Sequence, residues 1–212
     1  MIKFKNYSYL LILTAFLTIG CLHQEEVSIK TDIDGIELKD KKKELMETSV
    51  LGGGCFWCTE AVFERIDGIK DVISGYAGGE PPSPTYKQIC TGETGHAEVI
   101  KITFNPAVIK FTKILDIFGD CHDPTTLNRQ GADTGTQYRS TIMYLSEQQK
   151  EQAHQWKEQL SQKFEDPVVT EIVPAPIFYI AEEYHQDYYK KNPNQGYCSF
   201  VIRPKLKKLN LE

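Results

Sequence analysis

Cys55 and Cys58 are the two residues whose types and spacing most directly suggest chemistry. They lie in "SVLGGGCFWCTEAVFERI" (residues 49–66), where three glycines precede Cys55 and two aromatic residues separate the thiols. A cysteine at or near a helix N-terminus is favoured as a thiolate, the nucleophilic form, by exposed amide groups and the helix dipole. The glycines allow a tight turn and close approach of another molecule to the backbone. The stretch therefore predicts a nucleophilic Cys55 flanked by Phe56 and Trp57.

The same pair leaves an alternative open, because C-x-x-C is also the spacing of a redox dithiol. That interpretation makes the protein a thiol–disulfide oxidoreductase that uses Cys55 and Cys58. Against it, Cys58, Val62 and Ile66 recur at the spacing of one helix face. This stripe predicts that Cys58 points inward as a buried core thiol.

Metal binding has weak support in the sequence. A zinc site would recruit Cys121 with His122, or His96, but a second cleanly spaced pair of ligands is missing. Glu182 and His185 stand in the E-x-x-H spacing that forms half of a di-iron motif, without a second copy. We interpret this pair as ordinary helix polarity and predict no metal site.

Glu98 is the candidate general acid. In "HAEVIKITFNP" alternate residues share one strand face, which places Glu98 with Ile100, Ile102 and Phe104. A carboxyl group on an apolar face loses hydration, so its pKa rises and it can hold a proton near neutral pH. The alternative is a glutamate at the strand end that reaches solvent past His96.

Cys198 lies in "NQGYCSF", close to the C-terminus. The chain from Asn192 onward is predicted to be loop-like, and the segment around Cys198 is predicted to be flexible because it contains glycine. A mobile cysteine can reach a distant sulfur and condense with an oxidised Cys55 into a disulfide. An incidental cysteine in a tail is the alternative.

The chain organisation predicts one α+β domain, because strands and helices mix without a regular βαβ rhythm. The length of 212 residues, with 41% hydrophobic and 25% charged residues, is typical of a globular protein. Ser146 and Gln149 form a capping box that starts a helix whose inward stripe runs to Phe164. The other predicted elements are strands in "SVLGG", "IKDVISGYAGG", "HAEVIKITFNP" and "YRSTIMYLS", and helices in "CFWCTEAVFERI", "KFTKILDIFGDCH" and "EEYHQDYYKK".

Residues 1–21 have the pattern of a lipoprotein-type signal peptide. Lys3 and Lys5 precede an apolar run that is too short to span a bilayer comfortably. The run ends in "LTIGC", which resembles a lipobox with Cys21 as the lipidated residue, although Thr18 stands where leucine is usual. We expect an exported, membrane-anchored lipoprotein or a cell-envelope protein, held at the membrane by a lipid anchor only. Ordinary secretion and an uncleaved anchor remain alternatives.

Three further segments complete the predicted organisation. Residues 22–47 are rich in charge and poor in aromatic residues, which predicts a linker. Residues 48–205 form the predicted catalytic domain, and residues 206–212 a basic tail. The net charge of −5 gives no electrostatic support for nucleic-acid binding. We expect a monomer.

Taken together, the segments resemble peptide methionine sulfoxide reductase of the A type over about residues 49–203. The matching motifs are "GGGCFWCTEAVF", "GYAGG", "PTYKQICTGETGHAEV", "HDPTTLNRQGADTGTQYRS", "AEEYHQDYY" and "NQGYC". The resemblance implies a two-layer α+β sandwich around a mixed β-sheet. It also implies reduction of the S epimer of methionine sulfoxide, free or in proteins, and so the repair of oxidised proteins.

The resemblance assigns a role to each matching residue. Cys55 would attack the sulfoxide sulfur, Phe56 and Trp57 would receive the S-methyl group, and Glu98 would protonate the departing oxygen. Cys198 would then resolve the Cys55 sulfenic acid as a disulfide. A thioredoxin-like protein, or dithiothreitol in vitro, would restore both thiols, and no bound cofactor is implied.

Three more residues would complete the site implied by the resemblance. Tyr86 and Tyr138 would hydrogen-bond the sulfoxide oxygen, and Asp133 would support substrate binding. Some family members carry a further recycling cysteine after "GYC", but "SFVIRPKLKKLNLE" contains none. Cys90 and Cys121 have no role in the family pattern, so we interpret both as structural.

Overall fold

The computed structural model describes residues 45–212. The predicted signal peptide, the lipidated Cys21 and nearly all of the predicted linker lie outside the described residues. Within 45–212, no helix is both long and apolar enough to cross a membrane.

A six-stranded mixed sheet, in the order β7-β6-β1-β3-β2-β8, forms one layer of the domain. All neighbouring pairs are antiparallel except β6 and β7, which are parallel. A separate two-stranded hairpin is formed by β4 and β5. The strands are β1 Glu47–Gly53, β2 Ile69–Ala77, β3 Ala97–Phe104, β4 Arg129–Gln130, β5 Asp133–Thr134, β6 Ser140–Tyr144, β7 Glu171–Pro174 and β8 Phe178–Ile180.

Helices form the second layer and enclose the main apolar core against the sheet. They are α1 Phe56–Phe63, α2 Tyr86–Ile89, α3 Phe111–Cys121, α4 Glu147–Ser161, α5 Tyr188–Lys191, a π-helix Cys198–Ile202 and α6 Arg203–Lys208. The core joins side chains of α1, α3, α4 and α6 to those of β1 and β3, while a smaller cluster around Val99 and Met143 is separate. The predicted α+β class with a mixed sheet is confirmed.

The glycines before Cys55 turn β1, a central strand, into α1. Gly54 has φ +89°, and a Cβ atom there would lie 2.6 Å from the Gln130 side chain. A Cβ atom on Gly53 would lie 2.8 Å from the Phe118 ring. Only glycine satisfies both the backbone conformation at position 54 and this close packing. The three glycines therefore place Cys55 just after the end of β1.

The C-terminal prediction is wrong in two respects. The chain from Cys198 to Lys208 is helical, first as the π-helix and then as α6. Ile202 and Leu206 are fully buried in the main core. The segment is therefore packed instead of loop-like, and no separate basic tail begins at residue 206, because Leu206 belongs to the core.

Two helix boundaries also differ from the prediction. Ser146 caps α4 by accepting the Gln149 N–H at 3.2 Å, but the Gln149 side chain accepts from the Leu145 N–H instead of returning to Ser146. The helix ends at Ser161, so Phe164 lies beyond it and is partly exposed. "EEYHQDYYKK" forms a 3₁₀ turn and then α5, separated at Asp187, whose φ is +53°.

Candidate active site

Cys55 occupies the N-cap position of α1, as its sequence context predicts. Its own side chain makes no capping hydrogen bond. The Phe56 N–H, the first amide of the helix, instead donates to Oε2 of Glu98 at 3.1 Å. Because β3 pairs with β1, the glutamate of one central strand meets the helix that follows the other. The predicted nucleophile and acid are thereby brought to one place.

Glu98 is 1% exposed, so the prediction of a buried carboxyl group is confirmed and the solvent-reaching alternative is wrong. Burial raises its pKa to about 8, against the lowering effect of the Phe56 N–H bond. The nearby Asp133 and Cys58 charges raise the pKa further. His96, also buried, is held by the Gly79 N–H and the Pro81 carbonyl. At neutral pH Glu98 is therefore predominantly a protonated acid.

Cys55 and Cys58 share a hydrogen bond between their thiols, and both are buried. Two effects raise the pKa of Cys55 well above its ordinary value. The larger is burial, and the second is the hydrogen bond that the Cys55 thiol donates to Cys58. The same bond lowers the pKa of Cys58 to about 7. The expectation of a resting Cys55 thiolate is therefore wrong, since desolvation outweighs the helix dipole. The predicted burial of Cys58 is confirmed.

Tyr197 connects this thiol pair to Asp133, a role that its sequence context did not predict. Its Oη lies 3.7 Å from Cys58 Sγ and donates to Oδ2 of Asp133 at 2.6 Å. Asp133 begins β5 of the small hairpin, so this hydroxyl links the hairpin to the thiol pair. The only signal in the sequence was the position of Tyr197 next to Cys198 in "NQGYC".

Trp57 is held on several sides by residues from distant parts of the chain. Tyr188 stacks on it with ring centroids 3.6 Å apart and planes 5° apart. Its Nε1–H donates to Nδ1 of His185 at 3.1 Å, and the edge of Tyr197 contacts its ring. Phe56 is buried and packs against His185, so the half-buried Trp57 offers the more accessible of the two predicted aromatic surfaces.

Tyr86 and Tyr138 belong to two short helical elements, one before β3 in the chain and one after it. Tyr86 is the first residue of α2, and Tyr138 ends a 3₁₀ turn before β6. Burial is the larger cause that raises the pKa of both phenols, and the charge of Glu98 is the second. The effect of Glu98 on both phenols indicates that they lie near that carboxyl group. Both phenols are therefore neutral hydrogen-bond donors beside the acid.

The interpretation of Glu182 and His185 as ordinary helix polarity is wrong. Oε1 of Glu182 accepts the Tyr86 N–H at 2.8 Å, and Oε2 accepts the Tyr76 hydroxyl at 2.8 Å. His185 accepts from Trp57, as described above, and burial lowers its pKa. Glu182 therefore holds Tyr86, which is predicted to bind the sulfoxide oxygen, and His185 holds Trp57, which is predicted to receive the methyl group.

Cys198 is 0% exposed, and burial raises the pKa of its thiol. Its predicted flexibility is therefore wrong for this state.

The five described cysteines, Cys55, Cys58, Cys90, Cys121 and Cys198, are all free thiols. Cys90 is exposed, whereas Cys121 is buried and donates to the Phe118 carbonyl. The described residues contain no group of three or more histidine, cysteine or carboxylate side chains that could hold a metal ion.

The arrangement suits reduction of an electrophilic sulfur that carries an oxygen. A thiol lies beside a carboxylic acid that can protonate the oxygen, neutral phenols can bind that oxygen, and an indole supplies an apolar surface. A buried carboxyl group with a raised pKa beside a nucleophile is the usual signature of a general acid.

The peptide methionine sulfoxide reductase family model matches residues 47–212. Peptide methionine sulfoxide reductase MsrA 1 of Rhodopirellula baltica is 52% identical over 179 residues, covering 84% of this chain and 92% of the relative. The MsrA of Sulfolobus acidocaldarius is 56% identical over 163 residues, covering 77% of this chain and 93% of the relative.

Two solved structures share the fold. Reduced Mxr1 from Saccharomyces cerevisiae superposes with a TM-score of 0.69 at 41% identity, covering 72% of this chain and 89% of that one. Methionine sulfoxide reductase A of Corynebacterium diphtheriae also superposes with a TM-score of 0.69, at 38% identity. The match covers 73% of this chain and 78% of that one. The chain belongs to the peptide methionine sulfoxide reductase family.

Proposed function

We propose that this enzyme reduces the S epimer of methionine sulfoxide, free or within proteins, and so repairs oxidised proteins. The observation that carries the proposal is the buried, protonated Glu98, bonded to the amide next to Cys55. A sulfoxide oxygen is a poor leaving group until it is protonated, so the reaction needs an acid and a sulfur nucleophile together. Family membership supports the same reaction.

The proposed chemical step transfers oxygen from substrate to enzyme. Glu98 gives its proton to the sulfoxide oxygen, which Tyr86 and Tyr138 hold, while Cys55 Sγ attacks the sulfur. The attack forms a bond between the two sulfurs. The S–O bond of the substrate then breaks, and the hydroxyl moves to Cys55 Sγ as the S–S bond breaks, which leaves methionine and a Cys55 sulfenic acid. The Cys55 thiol proton returns to Glu98. The substrate sulfur is thus reduced by two electrons, and the Cys55 sulfur is oxidised by two.

Substrate binding divides between two surfaces in this proposal. Trp57, backed by Phe56, receives the S-methyl group, and Asp133 orients the rest of the substrate from the hairpin side. Burial around the acid strengthens the selectivity, since only a ligand that places its oxygen toward Glu98 gains a proton. With the methyl group facing the indole and the rest of the substrate leaving on the hairpin side, only one epimer places its oxygen toward Glu98, and we assign it as the S epimer from the family resemblance.

Recycling proceeds through Cys198 and an external thiol. Cys198 attacks the sulfenic sulfur of Cys55, which releases water and forms a disulfide. Cys198 is buried at the start of the C-terminal helix, and in this proposal that segment unwinds locally before Cys198 reaches Cys55. A thioredoxin-like dithiol then reduces the disulfide. The yeast Mxr1 structure in complex with Trx2, with a TM-score of 0.50 at 30% identity, supports a reductant of this class.

We further propose that the protein is an exported monomer, tethered by acyl chains on Cys21. Support comes from the apolar N-terminal run that ends in "LTIGC". Intact mass of the mature protein from native membranes should show an acylated N-terminal cysteine. A mass that matches the bare chain or retains Met1 contradicts this localisation and leaves the reaction untouched.

The decisive experiment for the reaction is a turnover assay with the two separated epimers of a methionine sulfoxide peptide. Protein from residue 22 onward is supplied with dithiothreitol, and wild type is compared with Cys55→Ser. We expect conversion of the S epimer alone, lost in the variant. Conversion of neither epimer by folded, reduced protein refutes the proposed function.

A further inference from the structure

Glu60 is a buried carboxyl group that takes no part in the proposed reaction. It lies on α1, one turn after Phe56, and is 1% exposed. A carboxyl group removed from water needs hydrogen-bond partners. Its Oε1 accepts the Ser74 hydroxyl of β2 at 3.0 Å, and its Oε2 accepts the Tyr188 N–H at 3.1 Å.

The bond to Tyr188 determines where α5 begins. Asp187 precedes this helix with φ +53°, a left-handed conformation that is unfavourable for most residues other than glycine. The Asp187 side chain makes no capping hydrogen bond. Oε2 of Glu60 therefore takes the place of a capping side chain on the first amide of α5, and it fixes the backbone at the position from which the Tyr188 ring projects.

That ring is the one stacked on Trp57 at 3.6 Å. Trp57 and Glu60 are three residues apart on α1, so they share one face of the helix. One turn of α1 thus presents both the indole and the carboxyl group that holds the backbone of its stacking partner. Tyr188 is attached to this turn twice, by its amide and by its ring.

We propose that Glu60 is a positioning residue, which holds Tyr188 flat against Trp57 and thereby sets the orientation of the indole that receives the substrate. This inference rests on the proposed function, since it concerns the same methyl-binding surface. It assigns Tyr188 to that surface as well. The hydrogen bonds of the Glu60 side chain go to Ser74 and Tyr188 and not to Cys55, so the effect belongs to substrate binding and not to the chemical step.

A neighbouring carboxyl group provides a matched control. Glu64 lies on the same helix, also with a largely buried side chain, and also connects α1 to α5, through Lys190 Nζ at 2.7 Å. It binds a side chain of α5 instead of the first amide. Loss of Glu64 therefore weakens the attachment of α5 without releasing the Tyr188 backbone from its anchor.

The test compares Glu60→Met, which removes both acceptor oxygens at similar length, with Glu64→Met. Glu60→Gln is the conservative variant, because its carboxamide oxygen can accept the Tyr188 N–H and its amino group can donate to Ser74. Trp57 emission is recorded in a Trp156→Phe background, and KM and kcat are measured with a methionine sulfoxide peptide. Glu60→Met should change the emission and raise KM about fivefold with kcat within about twofold. Glu60→Gln and Glu64→Met should resemble wild type.

Tyr188→Leu keeps the inference testable if Glu60→Met does not fold. It removes the stacked ring and retains the amide that Glu60 holds, so it should reproduce the emission change and the rise in KM. Unchanged emission and KM in Tyr188→Leu, or equal effects of Glu60→Met and Glu64→Met, would overturn the proposal. The emission is measured without substrate, so a wild type that fails to reduce methionine sulfoxide refutes the proposed function alone.

Discussion

Oε2 of Glu98 and the N–H of Phe56 form a 3.1 Å hydrogen bond that joins the acid to the start of the helix bearing Cys55. The bond has two consequences. It satisfies the first helix amide, which Cys55 leaves without a side-chain cap. It also fixes the carboxyl group beside the thiol, so a substrate oxygen that approaches Glu98 brings its sulfur to Cys55. The acid is therefore placed by the same contact that begins the helix.

Glu98→Gln should remove the acid without removing this contact. The carboxamide oxygen of glutamine still accepts the Phe56 N–H, so the fold at the helix start should persist. Loss of a general acid typically costs about 10²- to 10⁴-fold in rate. We expect a decrease of this order in the single-turnover rate of methionine formation. Glu64→Gln is the control for replacement of a largely buried carboxyl group that lies outside the site, and an equal decrease there would contradict the assignment.

The pKa of Glu98 also predicts how stability depends on pH. Its folded-state pKa of about 8 lies above the ordinary value, so the folded state binds the proton more tightly than the unfolded state. The contribution of Glu98 to the stability of the wild type should therefore fall as pH rises from about 4.5 to about 8. Glu60, with a pKa raised to about 7 by burial, acts in the same direction.

Urea unfolding at a series of pH values measures this dependence. The free energy of unfolding of wild type should decrease relative to that of Glu98→Gln as pH rises, because the variant has no carboxyl group to deprotonate at this position. The two proteins should differ least below pH 4 and most above pH 8, where the buried carboxylate destabilises wild type. Parallel curves for the two proteins across this range would show that Glu98 titrates normally.

Local patterns predicted the acid and the nucleophile, because each depends on a short stretch of chain. Alternation in β3 was enough to place Glu98 inside, and the glycine run was enough to place Cys55 at a helix start. The partners of Trp57 were not predictable in this way, since His185 and Tyr188 lie about 130 residues further along the chain and approach only through packing of α1 against α5. Their sequence carries no periodic signal for that contact.

The helical state of Cys198 was missed for a related physical reason. Asn192, Pro193 and Gly196 are local turn signals, and they dominate a prediction made from the sequence alone. The helix that follows is stabilised by burial of Ile202 and Leu206 in the main core, which is a tertiary effect. Cys198, the proposed resolving thiol, therefore lies in a packed helix in the reduced state.

Substitution of the two candidate resolving thiols distinguishes the proposed mechanism from a C-x-x-C oxidoreductase. Cys58→Ser keeps a hydroxyl that can accept from Cys55, so multiple turnovers with thioredoxin should continue within about threefold of the wild-type rate. Cys198→Ser should stop after one methionine per enzyme with the same reductant, because the sulfenic acid is left without its partner. The reverse pattern would favour the dithiol of Cys55 and Cys58.

Thiol accessibility tests whether the C-terminal helix must open for recycling. In the resting, reduced enzyme the exposed Cys90 should react rapidly with iodoacetamide and serve as an internal reference. Cys198 is buried and its pKa is raised, so alkylation at this site should be at least about tenfold slower. Quenching at timed intervals, followed by peptide mass spectrometry, gives both rates from one sample. In Cys55→Ser, which forms no sulfenic acid, Cys198 should stay slow after methionine sulfoxide is added. Equal rates for Cys198 and Cys90 in resting wild type would mean that the helix is already open and that recycling needs no conformational step.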